Sequence, residues 1–435
     1  MAIASPGSNT TATAPESSSG SYGAPLAVVT TLFFMWGFLT CLNDILVPHL
    51  KPIFDLNYTR IMLIQSAFFG AYFLFSIPSA KIIDWIGYQR SMVVGLLTMG
   101  AGAFLFVPAA SVPSYPLFLM ALIVLAAGIT CLQVAANPYV TVLGKPQTAS
   151  SRLNLTQAFN SLGTFLAPFF GGLLILSAAP KSMDEIRALA PDALQAYRLH
   201  EAATVKTPYV GLGIALVLLA IAIGSFKLPK IPHAQHQIGE KVNDSIWNHP
   251  NLIFGAIGIF VYVGAEVSIG SFLVNYFSQP DIGGLTEKVA ASFVAFYWGG
   301  AMVGRFIGSG LLQKMKTGHL LGICAVCAAA LVGISMLTTG HFAMYSIILV
   351  GFFNSIMFPS IFTLGVAELG PLTGDGSGIM IMAIVGGALI PLAQGAIADR
   401  VGIHHAFFLP VICYLYILFF ALSGSKPNSE RHART

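Results

Sequence analysis

Residues 91–144 read SMVVGLLTMGAGAFLFVPAASVPSYPLFLMALIVLAAGITCLQVAANPYVTVLG and contain no Asp, Glu, Lys or Arg. A helix needs ~20 apolar residues to cross the ~30 Å hydrocarbon core of a bilayer. The stretch is more than twice that length, and the segment from Pro108 to Pro116 interrupts it. It therefore predicts two membrane-spanning helices joined by a short uncharged turn.

A second stretch of the same kind lies at residues 317–367, with its own break from Thr338 to His341. The whole chain of 435 residues is 56% hydrophobic and only 9% charged, whereas soluble globular domains carry roughly 25% charged residues. So few charges cannot cover a water-exposed surface, which excludes a water-soluble enzyme and a nucleic-acid-binding protein. The composition predicts an integral membrane protein, whose surrounding partner is the lipid bilayer.

The other gaps between charged residues are each long enough for one membrane-spanning helix. Together with the two double gaps, they predict an all-α membrane protein with twelve transmembrane helices. The predicted helices cover residues 26–50, 60–81, 91–109, 116–143, 153–177, 208–227, 250–277, 288–312, 318–338, 343–366, 376–397 and 403–423.

The segments between the helices predict how the chain is organised. The first residues are rich in Ser, Thr, Gly, Ala and Pro, a composition typical of disorder. Most Lys and Arg residues fall on the side that also holds both termini, so the positive-inside rule places the termini in the cytoplasm. Residues 178–207 are predicted to form the longest interior loop, and residues 374–378 a tight turn. The predicted division is a disordered cytoplasmic tail at 1–24, a six-helix half at 25–227, a cytoplasmic linker at 228–249, a second six-helix half at 250–424 and a cytoplasmic tail at 425–435.

Two pairs of predicted helices share their spacing of Pro and Gly residues. The pairs are Gln133-x4-Pro138-x4-Leu143 with Asn354-x4-Pro359-x4-Leu364, and Gly163-x4-Pro168-x3-Gly172 with Gly386-x4-Pro391-x3-Gly395. Gly and Pro are common in membrane helices and can align by chance, but the step from Gln133 to Asn354 nearly equals the step from Gly163 to Gly386, which favours a duplication. Six helices are therefore predicted to repeat in the same orientation, an arrangement that places a substrate site at the midplane between the halves.

Pro168 and Pro391 occupy equivalent positions in this repeat. A proline inside a helix removes one backbone hydrogen bond and kinks the helix, whereas a glycine lets two helices approach closely. We therefore expect both prolines, with their neighbouring glycines, to be hinge and packing positions that act in gating.

Asp44 and Glu266 are carboxylates placed well inside the predicted helices 26–50 and 250–277. An ionised carboxylate at the centre of a bilayer costs ~2.5–3.5 kcal/mol on insertion scales, so such residues usually have a function. Burial disfavours the charged form of a carboxyl group and attracts a proton or another cation. Both residues are therefore candidates for coupling a cation to transport; the alternative is a structural carboxylate bonded to a neighbouring helix.

Uncharged hydrogen-bonding side chains are predicted at a similar depth. By their spacing, Gln133 shares a helix face with Asn137, and Gln157 shares one with Asn160. Carboxamides both donate and accept hydrogen bonds, which suits the hydroxyl groups of a neutral polyol; the alternative is that they join helices to one another. The candidate substrate-binding residues are Asn43, Gln133, Asn137, Gln157, Asn160, Asn275 and Asn354, with Trp36 and Trp298 as apolar platforms.

Five runs of residues carry a resemblance to a known family. They are Phe34-Met-Trp-Gly-Phe38 with Asn43-Asp44, Gln133-Val-Ala-Ala-Asn-Pro-Tyr139, Arg152-Leu-Asn-Leu-Thr-Gln157-Ala-Phe-Asn160-Ser-Leu-Gly163, Gly264-Ala-Glu266-Val and Ala383-Ile-Val-Gly-Gly387. The chain resembles the fucose–galactose–glucose:proton symporter family of the major facilitator superfamily, and most of all its glucose/galactose branch. The resemblance implies the major facilitator fold of two parallel six-helix halves, and a sugar transporter of the bacterial inner membrane.

The resemblance also implies roles for single residues. The superfamily motif after the second helix is degenerate here but retains Asp84-x-x-Gly87-x-x-Arg90, to which a gating role is assigned. In fucose-transporting members a carboxylate on the first helix binds the proton, which implies this role for Asp44. Those members also have Glu where this chain has Gln133, which cannot titrate. Three alternatives stay open: Asp44 acts alone, Glu266 contributes, or the coupling cation is sodium held at Asp44.

The predicted function is uptake of a hexose in symport with a proton or sodium, by alternating access. Glucose and galactose are the first candidates, followed by fucose and mannose. The protein is predicted to be a monomer without a cofactor or a firmly assigned metal site, and not an enzyme, because the spans hold no paired nucleophile and base. Two alternatives stay open: a symporter or exchanger for another small polar solute, and a membrane sugar sensor that binds without transporting.

Overall fold

A computed structural model describes residues 22–54, 58–112, 114–174, 185, 188–204, 206–230 and 244–427. Within these ranges the side chains are described except at residues 42–54, 58–63, 65–66, 171–174, 201–202 and 204. Nearly all of the predicted N-terminal tail, much of the predicted linker and most of the predicted C-terminal tail lie outside the described residues, as do the side chains of Asn43 and Asp44.

The chain is built from helices, and no strand occurs in the ranges just given. The first part of the chain contributes α1 (Gly23–Phe54), α2 (Tyr58–Ser111), α3 (Tyr115–Val142), α4 (Ala149–Leu174), α5 (Pro191–Thr204) and α6 (Lys206–Ser225). The second part contributes α7 (Pro250–Ser278), α8 (Glu287–Leu311), α9 (Thr317–Leu337), α10 (Gly340–Asn354), α11 (Met357–Gly365), α12 (Thr373–Met382), α13 (Gly386–Val401), α14 (Ile403–Ala406) and α15 (Phe408–Phe419), the last followed by a π-helical turn at Phe420–Gly424.

Ten segments of the described residues are long and apolar enough to cross a membrane. One of them, Ala67–Ser111, contains parts of two predicted spans, whose helices meet at a kink at Gly87. The span predicted at 153–177 is α4, which is not among the ten because polar residues such as Asn154 and Gln157 lower its hydropathy. With α4 included, the twelve predicted spans are present, which confirms the all-α fold class.

Helix α2 joins the helices predicted at 60–81 and 91–109 without an intervening loop. Its helical geometry is broken at Gly87, where φ is 81° and ψ is 167°. Glycine adopts a positive φ without the steric cost that a side chain would impose. The chain therefore turns at this one residue, and the charged residues that predicted a loop belong to the helix ends on either side of it.

Three other predictions of local structure are corrected. The loop predicted at 178–207 contains α5, which begins with Pro191 and Asp192, residue types that favour a helix N-terminus. Residues 374–378 are not a tight turn but lie within α12. The helices predicted at 343–366 and 376–397 are each divided, the first between α10 and α11 and the second by a 3-10 turn between α12 and α13.

The helices pack in two groups that correspond to the predicted halves. In the first group α2 packs against α3 and α6, and α1 packs against α4. In the second group α7 packs against α11, α13 and α15, and α9 packs against α10 and α15. The two groups meet mainly where α2 contacts α12 and where α4 contacts α8.

Polar side chains join the two groups at one end of the bundle, which carries the connections at residues 143–148, 312–316 and 366–372. We call this the closed end. The hydrogen bonds there join Ser150 Oγ with Thr363 Oγ1 at 2.7 Å, Ser151 Oγ with Ser309 O at 2.8 Å and Ser377 Oγ with Val134 O at 2.8 Å. Hydroxyl groups on small side chains therefore hold the halves together at short range.

Gly163 and Gly386, equivalent glycines of the internal repeat, lie where two helices approach closely. A methyl group at Gly163 would overlap the carbonyl oxygen of Phe34 on α1. A methyl group at Gly386 would overlap the carbonyl oxygen of Phe260 on α7. Equivalent glycines thus allow equivalent helix contacts in the two halves, as expected for a duplicated fold.

The substitution Gly163→Ala is expected to destabilise the protein, because the new methyl group meets a backbone oxygen that moves only if α1 and α4 separate. Gly333 on α9 is the matched control, since nothing lies within 4 Å of a methyl group placed there. In an unobstructed helix, alanine is favoured over glycine by about 0.5–1 kcal/mol. The thermal unfolding midpoint in detergent should fall for Gly163→Ala and stay level or rise for Gly333→Ala. Equal midpoints for the two variants would contradict the packing role.

Candidate functional site

A cavity of about 240 Å³ lies between the two groups of helices. It is smaller than the roughly 300–1,000 Å³ of pockets that hold drug-sized ligands, and this favours a small solute. Its walls are contributed by both groups: Trp36, Gly37, Thr40, Tyr72, Gln133, Gln157, Asn160 and Thr164 from the first, and Val263, Glu266, Arg305, Phe358 and Ile384 from the second.

Five of the residues predicted from the sequence meet in this cavity: Trp36, Gln133, Gln157, Asn160 and Glu266. They come from α1, α3, α4 and α7, so they are far apart in the sequence and are brought together by the packing of these helices. The polar face predicted on α4 is therefore the face that it turns towards the other half.

The amide groups of the first half are held in position by neighbouring helices. Gln133 donates Nε2–H to the hydroxyl of Tyr72 at 2.6 Å, whereas its buried Oε1 has no hydrogen-bond partner in the described part of the chain. Asn160 donates Nδ2–H to the carbonyl oxygen of Phe33 at 2.9 Å. Its Oδ1 and the Oε1 of Gln133 are thus the amide oxygens not used by these two bonds. An amide that is held in one orientation and has an unused oxygen is suited to accept a hydrogen bond from a hydroxyl group.

Asn137 lies one layer behind the cavity wall. Its side chain is fully buried and accepts a hydrogen bond of 3.4 Å from Nε2 of Gln157. The structure therefore places Asn137 as support for a cavity residue, while Gln157 itself lines the cavity. The pairing Gln157–Asn137 joins α4 to α3, which fixes the relative position of two polar walls.

The wall from the second half carries opposite charges on Glu266 and Arg305. The Oε1 atom of Glu266 is buried and has no hydrogen-bond partner in the described structure. The Arg305 guanidinium donates from Nε to Ser355 O at 3.2 Å and from Nη1 to Gln157 O at 3.5 Å, and it also bonds to the Ser161 hydroxyl. The cavity thus holds one acidic and one basic side chain on the same wall.

Arg305 was not among the residues predicted from the sequence. The signal was present, because Arg305 lies inside the predicted span 288–312, and an arginine within a span needs the same explanation as a carboxylate. Arg305 is half-buried and carries the charge opposite to that of Glu266.

Asn354 is fully buried outside the cavity lining, in a network of the second half. It donates Nδ2–H to the Tyr297 hydroxyl at 2.9 Å, and the Tyr262 hydroxyl donates to its backbone carbonyl oxygen at 3.0 Å. Asn275 and Trp298 are exposed and also lie outside the lining. A role for these three residues in substrate binding stays a prediction.

The residues predicted to act in gating lie away from the cavity. Asp84 is 3.4 Å from Lys81 Nζ, and the same Nζ is 2.8 Å from Asp375 on α12, so an ion pair joins the halves at the closed end. Gly87 forms the break in α2, and Arg90 is exposed beyond it. Pro168 and Pro391 lie inside α4 and α13. Their gating role stays a prediction.

The family model of the Major Facilitator Superfamily matches residues 27–384 of the chain. The chain belongs to this superfamily. The glucose/galactose transporter of Brucella abortus biovar 1 (strain 9-941) is 54% identical over 94% of the chain and 96% of that protein. The L-fucose-proton symporter of Escherichia coli (strain K12) is 36% identical over 94% of both chains. These relatives confirm the family expected from the sequence motifs, a family of transporters and not of enzymes.

Solved structures of this superfamily share the fold. The crystal structure of the E. coli fucose:proton symporter matches with a TM-score of 0.85 and 34% identity, over 93% of this chain and all of that one. A structure of the same symporter, FucP, in the outward conformation matches equally well, with a TM-score of 0.85. The two-half major facilitator fold predicted from the internal repeat is thereby confirmed.

Replacing Asn354 with alanine is expected to lower stability, because the Tyr297 hydroxyl loses its buried donor. A buried polar group left without its partner costs about 1–3 kcal/mol. Asn275→Ala is the matched control, since Asn275 is exposed. Thermal unfolding followed by tryptophan fluorescence should show a lower midpoint for Asn354→Ala only; an unchanged midpoint would show that the network does not support the fold.

Proposed function

We propose that this major facilitator protein is a sugar symporter that imports a hexose together with a cation by alternating access. The observation that carries the proposal is the small polar cavity between the halves, lined by Gln133, Gln157 and Asn160 and by the ring of Trp36. Substrate sites of such transporters lie at the midplane between the repeats. Relatives named as a glucose/galactose transporter and an L-fucose-proton symporter support a sugar as the solute.

Recognition of the sugar follows from the chemistry of the cavity walls. A hexose presents several hydroxyl groups, each able to donate and accept, together with an apolar face of C–H groups. The unused Oε1 of Gln133 would accept a bond from a sugar hydroxyl, and the Gln157 and Asn160 amides offer further polar atoms at the cavity wall. Trp36 supplies an aromatic surface for the C–H face. A neutral polyol therefore fits this lining better than an ion does.

Glu266 is the titratable carboxylate that the described cavity wall contains. Gln133 cannot take up a proton, and its amide is committed to Tyr72. Matched motifs of the two halves are separated by a nearly constant number of positions in the sequence. The number of positions from Asp44 to Glu266 agrees with it to within one. The two acids are therefore equivalent positions of the repeat, and we assign cation coupling to both. The name of the E. coli relative favours a proton over sodium.

The closed end supports an alternating-access cycle in which this conformation faces outward. Its hydrogen bonds and the Lys81–Asp375 ion pair seal the cavity on one side, and the similar FucP structure is in an outward conformation. We assign the closed end and both termini to the cytoplasmic side of a bacterial inner membrane. Breaking these contacts while the outer helix ends approach would expose the cavity to the cytoplasm.

Uptake of labelled galactose and glucose into proteoliposomes with an imposed proton gradient tests the coupling role. Glu266→Gln should abolish accumulation above the external concentration and retain exchange of sugar across the membrane, because exchange needs no net proton movement. Asp44→Asn is measured beside it, and Asn275→Ala, outside the cavity, should behave as wild type. Normal accumulation by Glu266→Gln would remove Glu266 from the coupling site. Failure of the wild type to take up or exchange any hexose would refute the sugar assignment.

Intrinsic fluorescence offers a direct test of binding in the cavity. Of the four tryptophans in the chain, Trp36 lines the cavity, whereas Trp85, Trp247 and Trp298 lie outside its lining. Galactose should therefore change the emission of the wild type, and Trp36→Phe should remove most of that change. A response that survives Trp36→Phe and disappears in Trp298→Phe would place the sugar elsewhere. A response to a different polar solute, and to no hexose, would favour the alternative substrate class.

A further inference from the structure

Arg305 connects the two halves immediately beside the cavity. Its Nε donates to the carbonyl oxygen of Ser355 in its own half, and its Nη1 donates to Gln157 O and the Ser161 hydroxyl on α4 of the other half. A charged arginine inside a span is costly unless its donors are satisfied. Here part of that compensation is provided by a helix that must move relative to α8 during alternating access.

The contact of Arg305 is the last in a row of polar contacts between α4 and α8, which we call the seam. Nearer the closed end, Asn154 donates Nδ2–H to the backbone carbonyl oxygen of Arg305 at 2.6 Å. One turn further, Ser151 donates to Ser309 O at 2.8 Å. The seam therefore runs from the closed end up to the cavity wall, where the Arg305 side chain completes it.

Glycines place Arg305 at this position. A methyl group at Gly304 would lie 2.5 Å from Ser355 Oγ and 2.6 Å from Phe352 O, and one at Gly308 would overlap Ile356 Cγ2. Helix α8 is therefore pressed against the turn between α10 and α11, which sets the guanidinium within reach of Ser355 O. The arginine is held firmly in its own half and reaches across to the other.

An equivalent cation exists in the first half. Ala80-Lys81 on α2 corresponds to Gly304-Arg305 on α8 at nearly the same offset that relates the motifs of the internal repeat. Lys81 also crosses to the other half, where its Nζ lies 2.8 Å from Asp375. The two cations differ in their surroundings: the Lys81 side chain is 50% exposed, whereas Arg305 faces the cavity.

We propose that Arg305 is the latch that keeps the cavity shut on the side of the closed end, and that its bonds to Gln157 and Ser161 break when the transporter turns inward. It is a positioning residue that acts through α4, and the proposal rests on the alternating-access transport proposed above. Gln157 lines the cavity and accepts the bond from Arg305 at its backbone carbonyl oxygen, so the latch and the proposed sugar site lie on the same turn of α4.

Accessibility of a thiol at the closed end tests the latch without any substrate. Thr363 on α11 is 8% exposed and bonded to Ser150 on α4, so the thiol introduced by Thr363→Cys is shielded while α4 stays packed against the second half. The protein is placed in lipid nanodiscs, where both faces are accessible, and labelled with a membrane-impermeant maleimide. Protein with only its native cysteines gives the background rate.

Arg305→Met in the Thr363→Cys background should raise the labelling rate by about tenfold, the effect of losing hydrogen bonds from a charged donor. Arg305→Lys keeps the charge and should give a smaller increase. Arg152→Met is the matched control, because the Arg152 side chain bonds to Val140 O, Thr141 O, Lys145 O and Thr148, all within the first half. It should leave the rate unchanged.

An unchanged rate in correctly folded Arg305→Met protein would overturn the proposal, and so would an equal increase in Arg152→Met. If Arg305→Met does not elute as a single folded species, the labelling rate of Arg305→Lys is compared with that of Arg152→Met instead. Misfolding of both Arg305 variants would show that Arg305 has a structural role and is not a latch. Hexose uptake by the wild type is measured separately. A latch that responds as expected in a protein that transports no hexose would refute the sugar assignment and leave the latch in place.

Discussion

The cost of placing an unsatisfied polar group in hydrocarbon governs the whole molecule. Inside a bilayer every backbone donor and acceptor must be satisfied within the protein, which restricts the spans to helices. The same cost turns polar side chains away from lipid. Helix α4 shows the result: Ser150, Ser151 and Asn154 bond to the other half, and Gln157 and Asn160 face the cavity. The polar residues that lower its hydropathy therefore build the interface between the halves.

The sequence predicted the fold well because the same cost leaves a visible record in the spacing of charges. It predicted Trp36, Gln133, Gln157, Asn160 and Glu266 as cavity residues because polar and aromatic side chains in a span need an explanation. It did not distinguish a cavity wall from the layer behind it. The depth of a residue along a helix follows from its number, whereas its direction depends on how neighbouring helices pack.

Asn137 and Asn354 show this difference in physical terms. Both were predicted to bind the substrate, but both are buried amides of which one supports Gln157 and the other bonds to Tyr297. The segment between the helices predicted at 60–81 and 91–109 shows a related difference. Charged residues near its middle indicated a loop, yet a single glycine with positive φ turns the chain and leaves both flanking segments helical. Charged residues indicate that a segment is exposed to water, but they do not show that it is a loop, because a water-exposed segment can still be helical.

The duplication explains why a rigid set of helices can alternate between two states. Equivalent glycines, Gly163 and Gly386, pack α4 on α1 and α13 on α7, so each half is tight within itself. Between the halves the contacts are of another kind. They include hydroxyl hydrogen bonds, two crossing cations and close approaches of small residues, beside aromatic contacts such as that of Phe159 on α4 with Phe306 on α8.

Such contacts suit a switch because each one is weak. A neutral hydrogen bond contributes about 0.5–1.5 kcal/mol net, and a half-exposed ion pair such as Lys81–Asp375 contributes roughly 0–1 kcal/mol. Reversing a two-state population from 1:99 to 99:1 requires about 5.5 kcal/mol of differential binding. The few bonds of the closed end are of that order, so a sugar and a cation bound in the cavity can offset them.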